Sequence, residues 1–185
     1  MLTIYVSPRD QRITDVTGHS ATVKGTFVRE GDGFKSLQDL RPSLEFTDVE
    51  FVYNRRFLPK TIHLNGEVRS AVVTFLRDYH AQQDISFDCY AFAGLIKGVE
   101  RNDKSLLHLH WTLYFPFLGV RPGDVIFLLS GRNNFHHAAV YLGSGLYLSV
   151  WGAGGDLEVA TLKSMMRDLM ATKLRIARPR TSVTT

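Results

Sequence analysis

The chain has 185 residues, 44% of them hydrophobic and 22% charged, with a formal net charge of +4. This is ordinary globular composition for one domain, long enough to bury a core without disulfides or metal. A single cysteine excludes an intramolecular disulfide and a structural cysteine–zinc site. The lack of any run of about 18 apolar residues excludes a transmembrane helix.

Residues 1–64 are rich in β-branched and aromatic side chains, broken by Gly, Pro and Asp. Residues 2–6, 20–29 and 49–53 read as strands, Gly31-Asp32-Gly33 as a turn, and 36–40 as a helical turn that stops before Pro42. From Asn65 the period changes. Val68, Val72, Phe75, Leu76 and Tyr79 share one helix face, with Asn65 as N-cap and Glu67 in the first turn. A second helix follows Asp88, with Cys89, Phe92, Ala93, Ile96 and Val99 on one face.

Arg121-Pro122-Gly123-Asp124 reads as a turn, and Val125–Leu129 as a buried strand. Residues 137–142 and 146–151 flank Gly143-Ser144-Gly145 as a hairpin. A short strand at 157–160, a helix over 161–170 and a last strand at 173–177 complete the order. Strands, then two helices, then an antiparallel meander predict an α+β fold. The expected organisation is a β-rich N-terminal extension over 1–64, a core over 65–178 and a frayed tail at 179–185.

The pI is near 9.3, but the basic residues are scattered. The densest groups, Asn54-Arg55-Arg56 and residues 175–180, lack interleaved aromatics, so no nucleic-acid partner is expected. The first ten residues have no basic n-region or apolar h-region, so no signal peptide is expected.

Cys89 opens a small-residue helix behind its cap Asp88. A thiol there feels the positive end of the macrodipole, which favours the thiolate, and first-turn N–H groups can serve an oxyanion. The competing reading is a buried small hydrophobe. A nucleophilic thiol needs a base, and seven histidines are present: His19, His63, His80, His108, His110, His136 and His137. His108 and His110 form an H-x-H pair without a third ligand at a suggestive spacing, so no metal is expected. His136 and His137 open the best strand. Alternation sends them to opposite faces, so one of the two can meet Cys89.

Asp88-Cys89-Tyr90-Ala91-Phe92 resembles the Asp-Cys-Ser-Gly/Ser-Phe/Leu signature of the NlpC-type papain-like cell-wall peptidases. Pro122-Gly123-Asp124-Val125-Ile126-Phe127 is similar to that family's Pro-Gly-Asp-Leu-Val-Phe segment. His137-Ala138-Ala139-Val140-Tyr141-Leu142-Gly143 is similar to its His-Val-Gly-Ile-Tyr-Leu-Gly strand. Residues 145–148 and 157–162 match the following arms. The resemblance spans about 65–178, in order, and leaves 1–64 without a counterpart.

The resemblance implies a papain-like fold, Cys89 as nucleophile and His137 as general base. Its third residue, usually His, Asn or Gln, falls on Ser149. Ser149 orients the base, or Asp156 or Glu158 substitutes, or the site is a dyad. Tyr90 stands where a small residue is usual. Tyr79 is a candidate for the oxyanion site, or else a core-facing helix residue. Asp88, Tyr90 and His136 complete the expected oxyanion and substrate-binding group.

No cofactor is implied. The implied reaction is amide hydrolysis of a peptidoglycan peptide. The implied setting is a monomeric bacterial effector toxin, made in the cytoplasm, secreted by a specialised system and countered by an immunity or inhibitor protein. The alternatives are a protease, deamidase or acyltransferase acting on host proteins, and an inert binding module.

Overall fold

The computed structural model describes residues 2–7, 13–14, 20–21, 25–30, 33–36, 47–55, 58–80, 87–98, 111–114, 119–131, 134–153 and 157–179. Within these the fold is α+β. The N-terminal strands are β1 (Leu2–Ser7), β2 (Ile13–Thr14), β3 (Ser20–Ala21), β4 (Gly25–Glu30), β5 (Gly33–Ser36), β6 (Val49–Arg55) and β7 (Leu58–Ile62). Five of them form one sheet in the order β5-β4-β1-β6-β7. β1 runs parallel to β6, with Ile4 opposite Phe51, and the other pairings are antiparallel.

Two expectations are corrected here. The single strand expected over 20–29 is two strands with different partners: β3 pairs with β2, and β4 with β1 and β5. Ser36 ends β5 rather than opening a helical turn; the rest of that turn lies outside the described residues. β7 is a strand beyond those expected; it contains Pro59, a residue found in sheets mainly on edge strands, and β7 is a sheet edge.

Helix α1 (Gly66–Thr74) is capped by Asn65, whose side chain accepts from the Val68 N–H at 2.8 Å. It continues as a π-helical turn, Phe75–His80. Val68, Val72, Phe75 and Leu76 are buried, so the apolar face is the expected one although the winding changes beneath it. Helix α2 (Cys89–Lys97) ends on Gly98 at φ 66°, a left-handed C-cap that glycine adopts without Cβ strain.

The C-terminal strands are β8 (Trp111–Tyr114), β9 (Val125–Leu129), β10 (Phe135–Gly143), β11 (Leu146–Val150), β12 (Leu157–Thr161) and β13 (Lys173–Pro179). They form an antiparallel sheet in the order β12-β11-β10-β9-β13-β8. Helix α3 (Leu162–Asp168) is capped by the Thr161 hydroxyl. All five residues of β9 are buried, because both faces of the sheet are covered.

One face carries Val125, Phe127, Leu129, Ala138, Val140, Leu148 and Val150, in clusters shared with α1 and α2. The other carries Ile126, Leu128, Ala139, Tyr147 and Ala160, packed with Met165 of α3. Ile4, Val49 and Phe51 of the N-terminal sheet join the first face's cluster, beside Val68, Val72, Leu157 and Val159. Each such side chain contributes about 1.5–3 kcal/mol on full burial.

The turn before β9 is tied down on both sides. Arg121 N–H donates to the Asp124 carboxylate at 2.9 Å, and Tyr141 N–H donates to the Asp124 carbonyl at 2.9 Å. Gly123 has φ 91°, and a Cβ there would run into the Asn65 side-chain amide. Among the described residues, no helix is long and apolar enough to cross a membrane.

Candidate functional site

Cys89 owes its position to the cap before it. Asp88 is extended (φ −123°, ψ −174°), so its carboxylate turns back over the first turn of α2. Oδ1 accepts from Tyr90 N–H at 2.9 Å and from Ala91 N–H at 3.0 Å. Cys89 is then the first helical residue. It is 7% exposed and clusters with Ala93, Val125, Phe127, Leu129, Ala138 and Ala177. The alanines at 93, 138 and 177 are small enough to let the helix start approach the sheet closely.

The cap alters the expected electrostatics. A helix N-terminus carries about half a positive charge, while the Asp88 carboxylate brings a full negative one to the same turn. The macrodipole therefore does not by itself favour a thiolate at Cys89; a cationic neighbour is needed. The contacts seen for the Asp88 side chain are those of a helix cap, Oδ1 accepting from the first turn.

Tyr90 stacks on Phe127, with ring centroids 6.0 Å apart and planes 20° off parallel. Burial pushes its phenol well above the usual tyrosine range, with the charges of Cys89 and then Asp88 adding to the effect. The ring is thus a neutral wall beside the thiol. Tyr79 lies in the π-helical turn, partly buried against the main core, its ring 4.3 Å from Phe87. It flanks the segment that leads into Asp88 and Cys89.

On β10, Phe135 pairs with Leu129 and His137 with Leu128, so His136 is the extra residue of a β-bulge. His136 is exposed. His137 is 3% exposed, and its Nε2 lies 2.9 Å from Ser149 Oγ, itself 0% exposed. Trp151 packs on the imidazole at 4.8 Å between ring centroids. Trp151 was not singled out in the sequence, although alternation along Ser149-Val150-Trp151 places it on the face of Ser149. Glu158 is directly opposite Ser149 on β12, while Asp156, His19, His108 and His110 lie outside the described residues.

The geometry joins His137 and Ser149 directly, and it packs Cys89 in the cluster of Ala138, the next residue along. Register places His137 on the sheet face of Leu128 and Ala139, and the Cys89 cluster on the face of Phe127 and Ala138. These are opposite faces of the sheet, and His136 is the bulged residue beside them. Among the described residues, no group of three or more His, Cys, Asp or Glu could hold a metal ion. No protein-family model and no curated protein matches the chain.

Proposed function

We propose that the protein is a cysteine hydrolase of papain-like, NlpC-type fold that cleaves an amide bond in a peptidoglycan peptide. The observation that carries this reading is the buried His137–Ser149 contact, one residue from Ala138, in whose cluster Cys89 sits at the head of a capped helix. A buried imidazole held through one nitrogen is oriented for work at the other. The spacing of nucleophile, base and orienter along the chain supports the same reading.

In the proposed reaction the Cys89 thiol gives its proton to His137, and the imidazolium supplies the positive charge that the Asp88-capped helix end does not. The sulfur attacks the amide carbonyl carbon. The C–N bond then breaks as the imidazolium returns its proton to the leaving amine. Water, with His137 as base, hydrolyses the thioester and restores the thiol. Ser149 engages Nε2, so Nδ1 is the nitrogen that exchanges the proton. In this reading the Cys89 backbone N–H, at the first residue of α2, serves the oxyanion.

A second reading has its own observation. Cys89 is 7% exposed among apolar side chains, the setting of an inert buried thiol, and the fold would then be a binding module without turnover. Digestion of purified peptidoglycan by the wild type and by Cys89→Ala, with fragments read by mass spectrometry, separates the two. New muropeptides from the wild type alone are the expected result and would name the bond. No fragments and no thiol reactivity favour the binding module. A reactive thiol without fragments moves the substrate to a protein.

A further inference from the structure

Ser149 is fully buried, so its hydroxyl proton must go to a protein acceptor or be left unsatisfied at a cost. A serine hydroxyl has one proton to donate and lone pairs to accept with. Two arrangements satisfy the 2.9 Å contact with His137 Nε2. If Ser149 donates to Nε2, the neutral imidazole carries its proton on Nδ1 and cannot take one there. If Nε2–H donates to Ser149, Nδ1 holds the lone pair, and the hydroxyl proton needs an acceptor elsewhere.

Glu158 is the carboxylate directly across the strand pair from Ser149. It pairs directly with Ser149 across β11 and β12, so the two side chains leave the sheet on the same face, with Cβ atoms about 4.5–5.5 Å apart. The flanking residues Leu157 and Val159 point to the opposite face, into the α1 cluster, which fixes Glu158 on the side of Ser149. It is half-buried there, on the sheet face that also carries His137 and Trp151.

We propose that Glu158 is a positioning residue that accepts a hydrogen bond from the Ser149 hydroxyl, so that Ser149 accepts from His137 Nε2–H and Nδ1 keeps the lone pair of a base. The chain of bonds runs His137 to Ser149 to Glu158, and the carboxylate at its end gives it one direction. This also accounts for a serine in a place where an amide or imidazole would be the stronger orienter: the charge is supplied one strand further on. The inference rests on the cysteine–histidine reading for its meaning, but its readout does not require turnover.

The test uses the full-length, 15N-labelled chain carrying Cys89→Ala, at a pH where the imidazole is neutral. Long-range proton–nitrogen correlation reads which ring nitrogen of His137 is protonated, with the signal assigned by its disappearance in His137→Gln. The Nε2–H form is expected to dominate. In Glu158→Leu the ratio of Nε2–H to Nδ1–H falls by about tenfold or more, the change expected from losing one hydrogen bond of ordinary strength. Glu158→Gln, which keeps an acceptor oxygen, retains the original ratio. A dominant Nδ1–H form with Glu158 present overturns the proposal, as does an unchanged ratio in a folded Glu158→Leu protein. Glu158→Ala gives the same reading if the leucine variant does not fold. Absence of hydrolysis by the unsubstituted protein would sink the enzymatic reading and leave the tautomer result standing.

Discussion

Removing either partner of the His137–Ser149 contact should cost stability, and removing both should cost less than the sum. Ser149→Ala leaves a buried imidazole nitrogen, in a residue 3% exposed, without the oxygen 2.9 Å away. A buried polar group deprived of its partner costs about 1–3 kcal/mol. His137→Phe keeps a ring of similar size against Trp151 but removes the imidazole partner of the Ser149 oxygen, at a comparable cost plus that of imperfect shape. The double variant removes both polar groups together, so the second substitution is nearly neutral in polar satisfaction. The coupling energy of the cycle should be about 1–2 kcal/mol. Urea unfolding followed by circular dichroism measures it. With a slope of about 2 kcal/mol per molar urea, a 2 kcal/mol loss lowers the midpoint by about 1 M. Costs that add to within about 0.5 kcal/mol would mean that the contact is not made in solution, and the orienting role of Ser149 would go with it.

Three further expectations use different parts of the structure. Cys89→Ala and His137→Ala should each abolish peptidoglycan hydrolysis while the folded circular-dichroism spectrum is retained; His136→Ala, at an exposed bulge position, should be milder, and the reverse ranking would mean the wrong histidine has been assigned. Gly123→Ala should destabilise the fold by about 2 kcal/mol or more in urea, from left-handed strain of about 1–3 kcal/mol plus displacement of the Asn65 cap at about 0.5–2 kcal/mol. Gly145→Ala shares the positive φ but meets no atom within 4 Å, so an equal loss there would remove the clash from the explanation. The Tyr90 phenol is raised by burial, so the unfolded chain releases that proton first, at about pH 10. The stability linked to it is whole below that pH and is lost as pH rises above it. Tyr90→Phe should therefore reduce the alkaline loss of stability seen in thermal melts. Some slope should remain from Tyr147, whose phenol is also raised, by burial and then by Tyr141.

The parts of the fold legible in the sequence are those set by local chemistry. Asn65 and Asp88 announce their helices because a short polar side chain that can accept first-turn N–H bonds is what a helix start needs, and both act as caps. The hairpin between β10 and β11 is written in Gly143-Ser144-Gly145, all with positive φ. Elements that depend on distant partners were not legible. The pairing of β13 between β9 and β8 joins segments far apart in the chain, and no local signal selects it. The π-helical turn at 75–80 preserves the apolar face of α1, so the hydrophobic pattern does not reveal it, and no glycine or proline marks the change. Alternation alone separates His136 from His137; that His137 is the one turned toward Ser149 follows from the bulge, which appears only in the register against β9. The Asp88 cap was legible, but its opposition to the helix dipole at Cys89 emerges once Oδ1 is seen on the Tyr90 and Ala91 N–H groups.

The central claim is that Cys89 is a working nucleophile served by His137, and the rate of iodoacetamide alkylation at neutral pH tests it most directly. Mass spectrometry of the folded wild type and of His137→Ala, against a small free thiol as standard, supplies the comparison. The account predicts that wild-type Cys89 is alkylated at least as fast as the standard and markedly more slowly in His137→Ala. A thiol that stays unmodified until the chain is unfolded, with or without His137, would contradict it and make Cys89 a packing residue of the core.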